Sequence, residues 1–80
     1  MQALKTRSVP AVSKALSILD QIADSAVGLT LTELIEWSGM AKSSVHYLVV
    51  TLERCGYVEK DEGTARYVLG QKLSRMARPS

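Results

Sequence analysis

The chain has 80 residues, 46% of them hydrophobic and 22% charged, with a net charge of +2. That length holds one domain, and that balance is globular rather than disordered. No apolar run is long enough to span a bilayer, the opening MQALKTRSVP lacks the apolar stretch of a secretory signal, and the single cysteine, Cys55, cannot close an intramolecular disulfide. A soluble protein of the reducing cytoplasm is expected.

The charge is unevenly placed. Residues 1–40 carry three basic and four acidic residues, and residues 41–80 carry seven and four. The excess is too small to imply nucleic-acid binding by itself. A small core without disulfides usually needs a metal, a partner or oligomerisation. His46 and Cys55 are the only soft ligands, and a structural zinc site takes about four. No metal or cofactor is expected, and oligomerisation is the expected supplement.

Residues 1–8 show no period and read as an N-terminal arm. Val12, Ala15, Leu16, Leu19, Ile22 and Ala23 then recur at helical steps and form one apolar stripe. Pro10 suits the first turn of that helix, where its missing N–H costs nothing, and the helix should end near Ser25, before Gly28. Ile18 is read as lying far from the centre of the stripe, either incidentally exposed or part of a second contact surface.

Thr30 and Glu33 have the spacing of a capping box and open a second helix. Leu31, Leu34, Ile35 and Ser38 face inward, and Gly39 turns the chain. A third helix starts near Lys42, with Val45, Leu48, Val49 and Leu52 as its apolar face. Lys42, Ser43, His46, Tyr47, Val50 and Arg54 fall on its other side or flanks, and Gly56 ends it. The period then changes. Tyr57–Lys60 and Ala65–Leu69 read as strands of a hairpin around the polar turn 61–64. Gly70 breaks the second strand, and Gln71 to Arg78 can form a last short helix, with Leu73, Met76 and Ala77 on one side.

The fold expected is mainly α with a small β-hairpin. It is a winged helix-turn-helix over residues 9–70, with the helix-turn-helix at about 31–50 and the wing at about 57–69. Residues 71–80 would begin a linker helix. In such a fold the third helix buries one face and offers a polar face to the major groove of DNA. Ser43, Ser44, His46 and Tyr47 supply donors and acceptors. Lys42 brings charge to the helix entrance, where free N–H groups suit a phosphate. Val50 can touch a thymine methyl. Thr32 on the second helix and Arg66 on the wing complete the candidate contact set.

Leu29-Thr30-Leu31-Thr32-Glu33-Leu34, Ser38-Gly39-Met40-Ala41-Lys42-Ser43-Ser44-Val45-His46, Thr51-Leu52-Glu53-Arg54-Cys55-Gly56-Tyr57-Val58 and Tyr67-Val68-Leu69-Gly70 together resemble the DNA-binding domain of IclR-type transcriptional regulators. The resemblance runs from about Ser8 to Arg78. It implies a winged helix-turn-helix that is dimeric on palindromic double-stranded operators, followed by a linker helix and a larger effector-binding domain, which these residues do not include. The chain departs from the family pattern at three residues. Tyr47 stands where Arg is common, which removes a charged phosphate contact or a bidentate guanine contact. Ala41 stands where Pro or Ser is usual, so the third helix lacks a side-chain cap unless its start shifts to Ser43 or Ser44. Trp37 replaces a polar residue and is either a core edge, a partner contact or exposed.

Each candidate also has a plainer reading. Lys42 and Arg66 can be solvated surface charges, Ser43 and Ser44 can satisfy their own helix turn, and His46 can be structural or solvent-facing. Tyr57 and Tyr67 read as hairpin packing, and Cys55 as a buried filler or a bystander. Catalysis is not expected. His46 and Cys55 are about 13 Å apart along one helix, Ser43 and His46 have no third partner, and the five glycines are dispersed. The alternative to a DNA reader is a winged-helix protein-docking module. Ile18, Leu73 and Met76 are the candidate dimer contacts.

Overall fold

The computed structural model describes residues 9–77; the expected arm 1–8 and the last residues of the expected linker helix, 78–80, lie outside them. The elements are α1 (Pro10–Asp24), β1 (Leu29–Thr30), α2 (Leu31–Ser38), α3 (Lys42–Arg54), β2 (Val58–Asp61), β3 (Arg66–Leu69) and α4 (Gln71–Met76). The chain is mostly helical, with a small antiparallel sheet in the order β1-β3-β2.

Local chemistry explains most boundaries. Pro10 is in the first turn of α1. Thr30 Oγ1 accepts the Glu33 amide at 3.1 Å, and Glu33 Oε1 accepts the Thr30 amide at 2.9 Å, so the capping box forms at the start of α2. Gly39 ends α2 in the left-handed region at φ 72°, with its amide bonded to the Ile35 carbonyl at 3.0 Å. Ser38 supports the same turn: its hydroxyl donates to the Ile35 carbonyl and accepts the Met40 amide. On α3, Val45, Leu48, Val49 and Leu52 are all buried, as their spacing requires. They pack with Ile18, Ile22, Leu34, Val58 and Tyr67 into one core.

The first helix departs from its sequence reading. Ile18 is fully buried, whereas Val12 and Leu16 remain 56% and 54% exposed. At about 100° per residue, Ile18 lies only about 40° from Ile22, so it belongs to the edge of the stripe and not to its far side. The apolar arc is wider than the core can cover. Its Ile18–Ile22 edge meets α3 and the sheet, and its Val12–Leu16 edge is left out. A buried isoleucine has no side chain to offer a second copy, so Ile18 is removed from the dimer contacts.

The sheet also differs from the reading. Leu29 and Thr30 pair with Tyr67 and Arg66, which adds a third strand. Two residues are too short for an alternating pattern to reveal. The wing is β2 and β3, paired from Val58↔Leu69 to Asp61↔Arg66. Ala65 belongs to the turn, at φ 60°, and not to the strand. Tyr67 is buried and Tyr57 packs against the core, consistent with hairpin packing. Cys55 is exposed at the C-cap of α3, which makes it a bystander and not a core filler. The last helix is shorter than expected, ending at Met76.

Candidate nucleic-acid interface

The buried seam of α3 fixes what its other side presents. Ser43, Tyr47, Val50 and Arg54 recur at i, i+4, i+7 and i+11 and form a ridge opposite that seam, about 16 Å long. Ser43, Tyr47 and Arg54 are exposed, and Val50 is half-buried. Tyr47 is 71% exposed, the most open of the large hydrophobic or aromatic side chains on the described surface. Ser44, His46 and Lys42 are exposed on the flanks of the ridge. Arg54 was not among the sequence candidates; its place eleven residues after Ser43 was the signal for it.

The candidates do not converge on one spot. Lys42, Ser43 and His46 line an open depression of about 590 Å³ together with Leu31 of α2. Thr32 is exposed in the first turn of α2. Tyr47 borders a different feature, an apolar groove between α1 and α3 lined also by Val12, Leu16 and Tyr57. It therefore stands at the boundary between the polar ridge and an apolar face. Trp37 is 47% exposed at the edge of a shallow hollow with Lys14 and Ser17.

The entrance of α3 is uncapped. Ala41 is the N-cap residue, at φ −63° and ψ 148°, and no side chain caps the helix. The first helical bond runs from the Val45 amide to the Ala41 carbonyl at 3.1 Å. The start does not shift to Ser43 or Ser44. The amides of Lys42, Ser43 and Ser44 are thus the orphan donors of the first turn, and the positive end of the helix dipole lies there beside the Lys42 ammonium.

The wing is electrostatically different. Glu59, Asp61 and Glu62 outnumber Lys60 and Arg66 on it. Lys60 Nζ lies 5.9 Å from the Tyr67 ring centroid. Arg66 opens β3 at the turn end of the wing hairpin, opposite Asp61, and has partners inside the domain. Its Nη1 donates to the Gly28 carbonyl at 2.9 Å and to Glu33 Oε1 at 3.0 Å. The Thr30 backbone amide, followed by the charge and hydrogen bond of Arg66, holds the Glu33 carboxyl below its ordinary value against an opposing effect of burial. Of the two remaining dimer candidates, Leu73 is half-buried and Met76 is exposed.

A helix-turn-helix followed directly by a β-hairpin defines a winged helix-turn-helix domain. The model of the IclR helix-turn-helix domain family matches residues 11–62, and the chain belongs to that family. It is 35% identical over 65 residues to the HTH-type transcriptional regulator XynR of Escherichia coli, covering 81% of this chain and 26% of that protein. It is 45% identical over 67 residues to the HTH-type transcriptional regulator BhcR of Paracoccus denitrificans, covering 84% and 24%. Among solved structures, an IclR transcriptional regulator from Alicyclobacillus acidocaldarius superposes with a TM-score of 0.77 at 32% identity, covering 88% of this chain and 28% of that one. The Thermotoga maritima IclR structure superposes with a TM-score of 0.77 at 31% identity, covering 84% and 27%. The chain spans about a quarter of the length of these relatives.

Proposed function

We propose that this chain is the DNA-reading part of a transcriptional regulator and binds double-stranded DNA sequence-specifically. The carrying observation is α3: a helix held by a four-residue buried seam, with a polar outer ridge and an uncapped N-terminus beside Lys42. That helix enters the major groove. Lys42 and the first-turn amides meet phosphate. Ser43, Ser44, His46 and Tyr47 face base edges, Val50 faces a thymine methyl, and Arg54 follows the ridge to the far phosphate strand. Thr32 contacts the backbone from α2. The wing lies on the backbone or minor groove through its turn, and its acidic balance makes that the weaker contact.

The domain occupies residues 9–70 and a linker helix begins at 71. It works as a homodimer in the cytoplasm by binding, not by catalysis. Two copies related by a two-fold would read palindromic half-sites about 34 Å apart. With Ile18 buried, pairing falls to exposed apolar side chains: Val12 and Leu16 on α1 and Met76 on α4.

The test is selection from a random duplex library, followed by affinity measurement across a range of salt. A preferred sequence emerges, and log K falls linearly with log salt. Lys42→Ala makes the slope shallower by about one phosphate contact, and Ser44→Ala changes sequence preference more than slope. A protein-docking module would show no duplex affinity at any salt, and that result would defeat the proposal.

A further inference from the structure

Arg66 stands where three segments meet. Within β3 it pairs with Asp61 of β2 on one side and Thr30 of β1 on the other. Its Nη1 reaches across to the Gly28 carbonyl and to Glu33 Oε1. That same Oε1 accepts the Thr30 amide, the bond that caps α2. One carboxylate oxygen therefore serves both the start of the helix-turn-helix and the turn end of the wing strand β3. The pair is the one salt bridge among the described residues.

The wing needs such a hold. A two-stranded ribbon is marginal alone, and its backbone link to α2 is a two-residue pairing with β1. Val58 and Tyr67 anchor the ribbon in the core, and the Arg66 side chain adds a constraint at its turn end, because it bonds to the loop before β1 and to the first turn of α2 together. The positive charge is meanwhile matched by a carboxylate, which weakens its pull on a distant phosphate.

We propose that Arg66 is a positioning residue for DNA recognition: through Glu33 and Gly28 it sets the wing against the helix-turn-helix, and it does not itself meet phosphate. This rests on the reading of the chain as a duplex reader and adds how its two DNA-facing parts are kept in register.

The experiment compares Arg66→Ala, Arg66→Lys and Glu33→Gln in the full chain, on the duplex selected above, at a temperature where every variant is folded. Glu33→Gln is informative because glutamine also serves a capping box, so it removes the ion pair and keeps the cap. Arg66→Ala lowers affinity by about two- to fivefold, the range of a partly exposed pair, and leaves the salt slope unchanged. Arg66→Lys recovers part of the loss, Glu33→Gln matches Arg66→Ala, and the double variant is no worse than either. A slope made shallower by about one in Arg66→Ala would mean a phosphate contact and overturn the proposal. Unchanged affinity in the folded variants would overturn it as well.

Failure of the unaltered chain to bind any duplex defeats the parent reading, and with it a role in recognition. The tie itself is then still read in the free protein by amide hydrogen exchange. Arg66→Ala should speed exchange at Thr30 and Tyr67 by about two- to fivefold. Unchanged exchange there removes the tie.

Discussion

Placing a carboxylate at the uncapped entrance of α3 should move stability and DNA affinity in opposite directions. Ala41 has the extended backbone of an N-cap residue and no side chain to use it. In Ala41→Asp the new carboxylate accepts the amide of Ser43 or Ser44, at the positions where N-cap side chains bond. A missing cap costs about 1 kcal/mol, and a negative charge at the dipole's positive end adds about 0.3–1 kcal/mol. For a domain of this size each ~1 kcal/mol raises Tm by about 4–8 °C. The same carboxylate faces the phosphate proposed to sit at that entrance. Two like charges 4 Å apart repel by ~1 kcal/mol in water and ~4 kcal/mol at an effective dielectric of 20, so affinity should fall at least about fivefold. The amide it captures is also lost to the phosphate. Ala41→Ser is the neutral companion: it gains most of the stability and loses less affinity. The assays are thermal unfolding by circular dichroism and duplex titration at low salt. A variant that gains stability and binds DNA as tightly as before would mean that the α3 entrance does not face the backbone. A variant that gains no stability would refute the cap argument itself.

The two edges of α1 should separate in the same way. Ile18→Ala removes a fully buried side chain and should cost about 2–5 kcal/mol by denaturant unfolding; a cost under about 1 kcal/mol would contradict its place in the core. Leu16→Ser, at a half-exposed site, should change stability by less than about 1 kcal/mol yet weaken self-association in sedimentation; unchanged association would move pairing off this face. Glu33 should leave a trace in acid. Its carboxyl is held below the ordinary value of 4.5, mainly by the Thr30 amide. A depressed folded value contributes stability that is present above 4.5 and lost as pH falls through the lower folded value. Glu33→Gln should therefore flatten that acid limb of a stability-against-pH curve while leaving the neutral side of its shape unchanged, and an unaltered limb would show that the carboxylate bonds are not formed in solution.

Features that depend on neighbours along the chain were legible in the residues. The α3 seam of Val45, Leu48, Val49 and Leu52 was legible because helical spacing alone puts the four on one face. The capping box of Thr30 and Glu33, the turn at Gly39 and the hairpin after Gly56 are likewise local chemistry. So was the order of elements that marks the winged helix-turn-helix. The ridge of α3 followed from its seam, because a helix with one buried face must present the other.

What the tertiary structure decided is which apolar surface the core has room for, and which charges find distant partners. On α1 the stripe from Ile18 to Leu16 is one continuous apolar arc. Periodicity gives the arc but not the part of it that α3 and the sheet will cover, so Ile18 went in and Val12 and Leu16 stayed out. The strand at Leu29–Thr30 exists only because β3 lies beside it. Arg66 looked like any basic residue on a wing. Its partners Glu33 and Gly28 are 33 and 38 residues away in sequence, a separation over which no local pattern reports contact. Spacing thus settled the helices, the hairpin and the buried seam of α3; packing settled the third strand, the covered edge of α1 and the partner of Arg66.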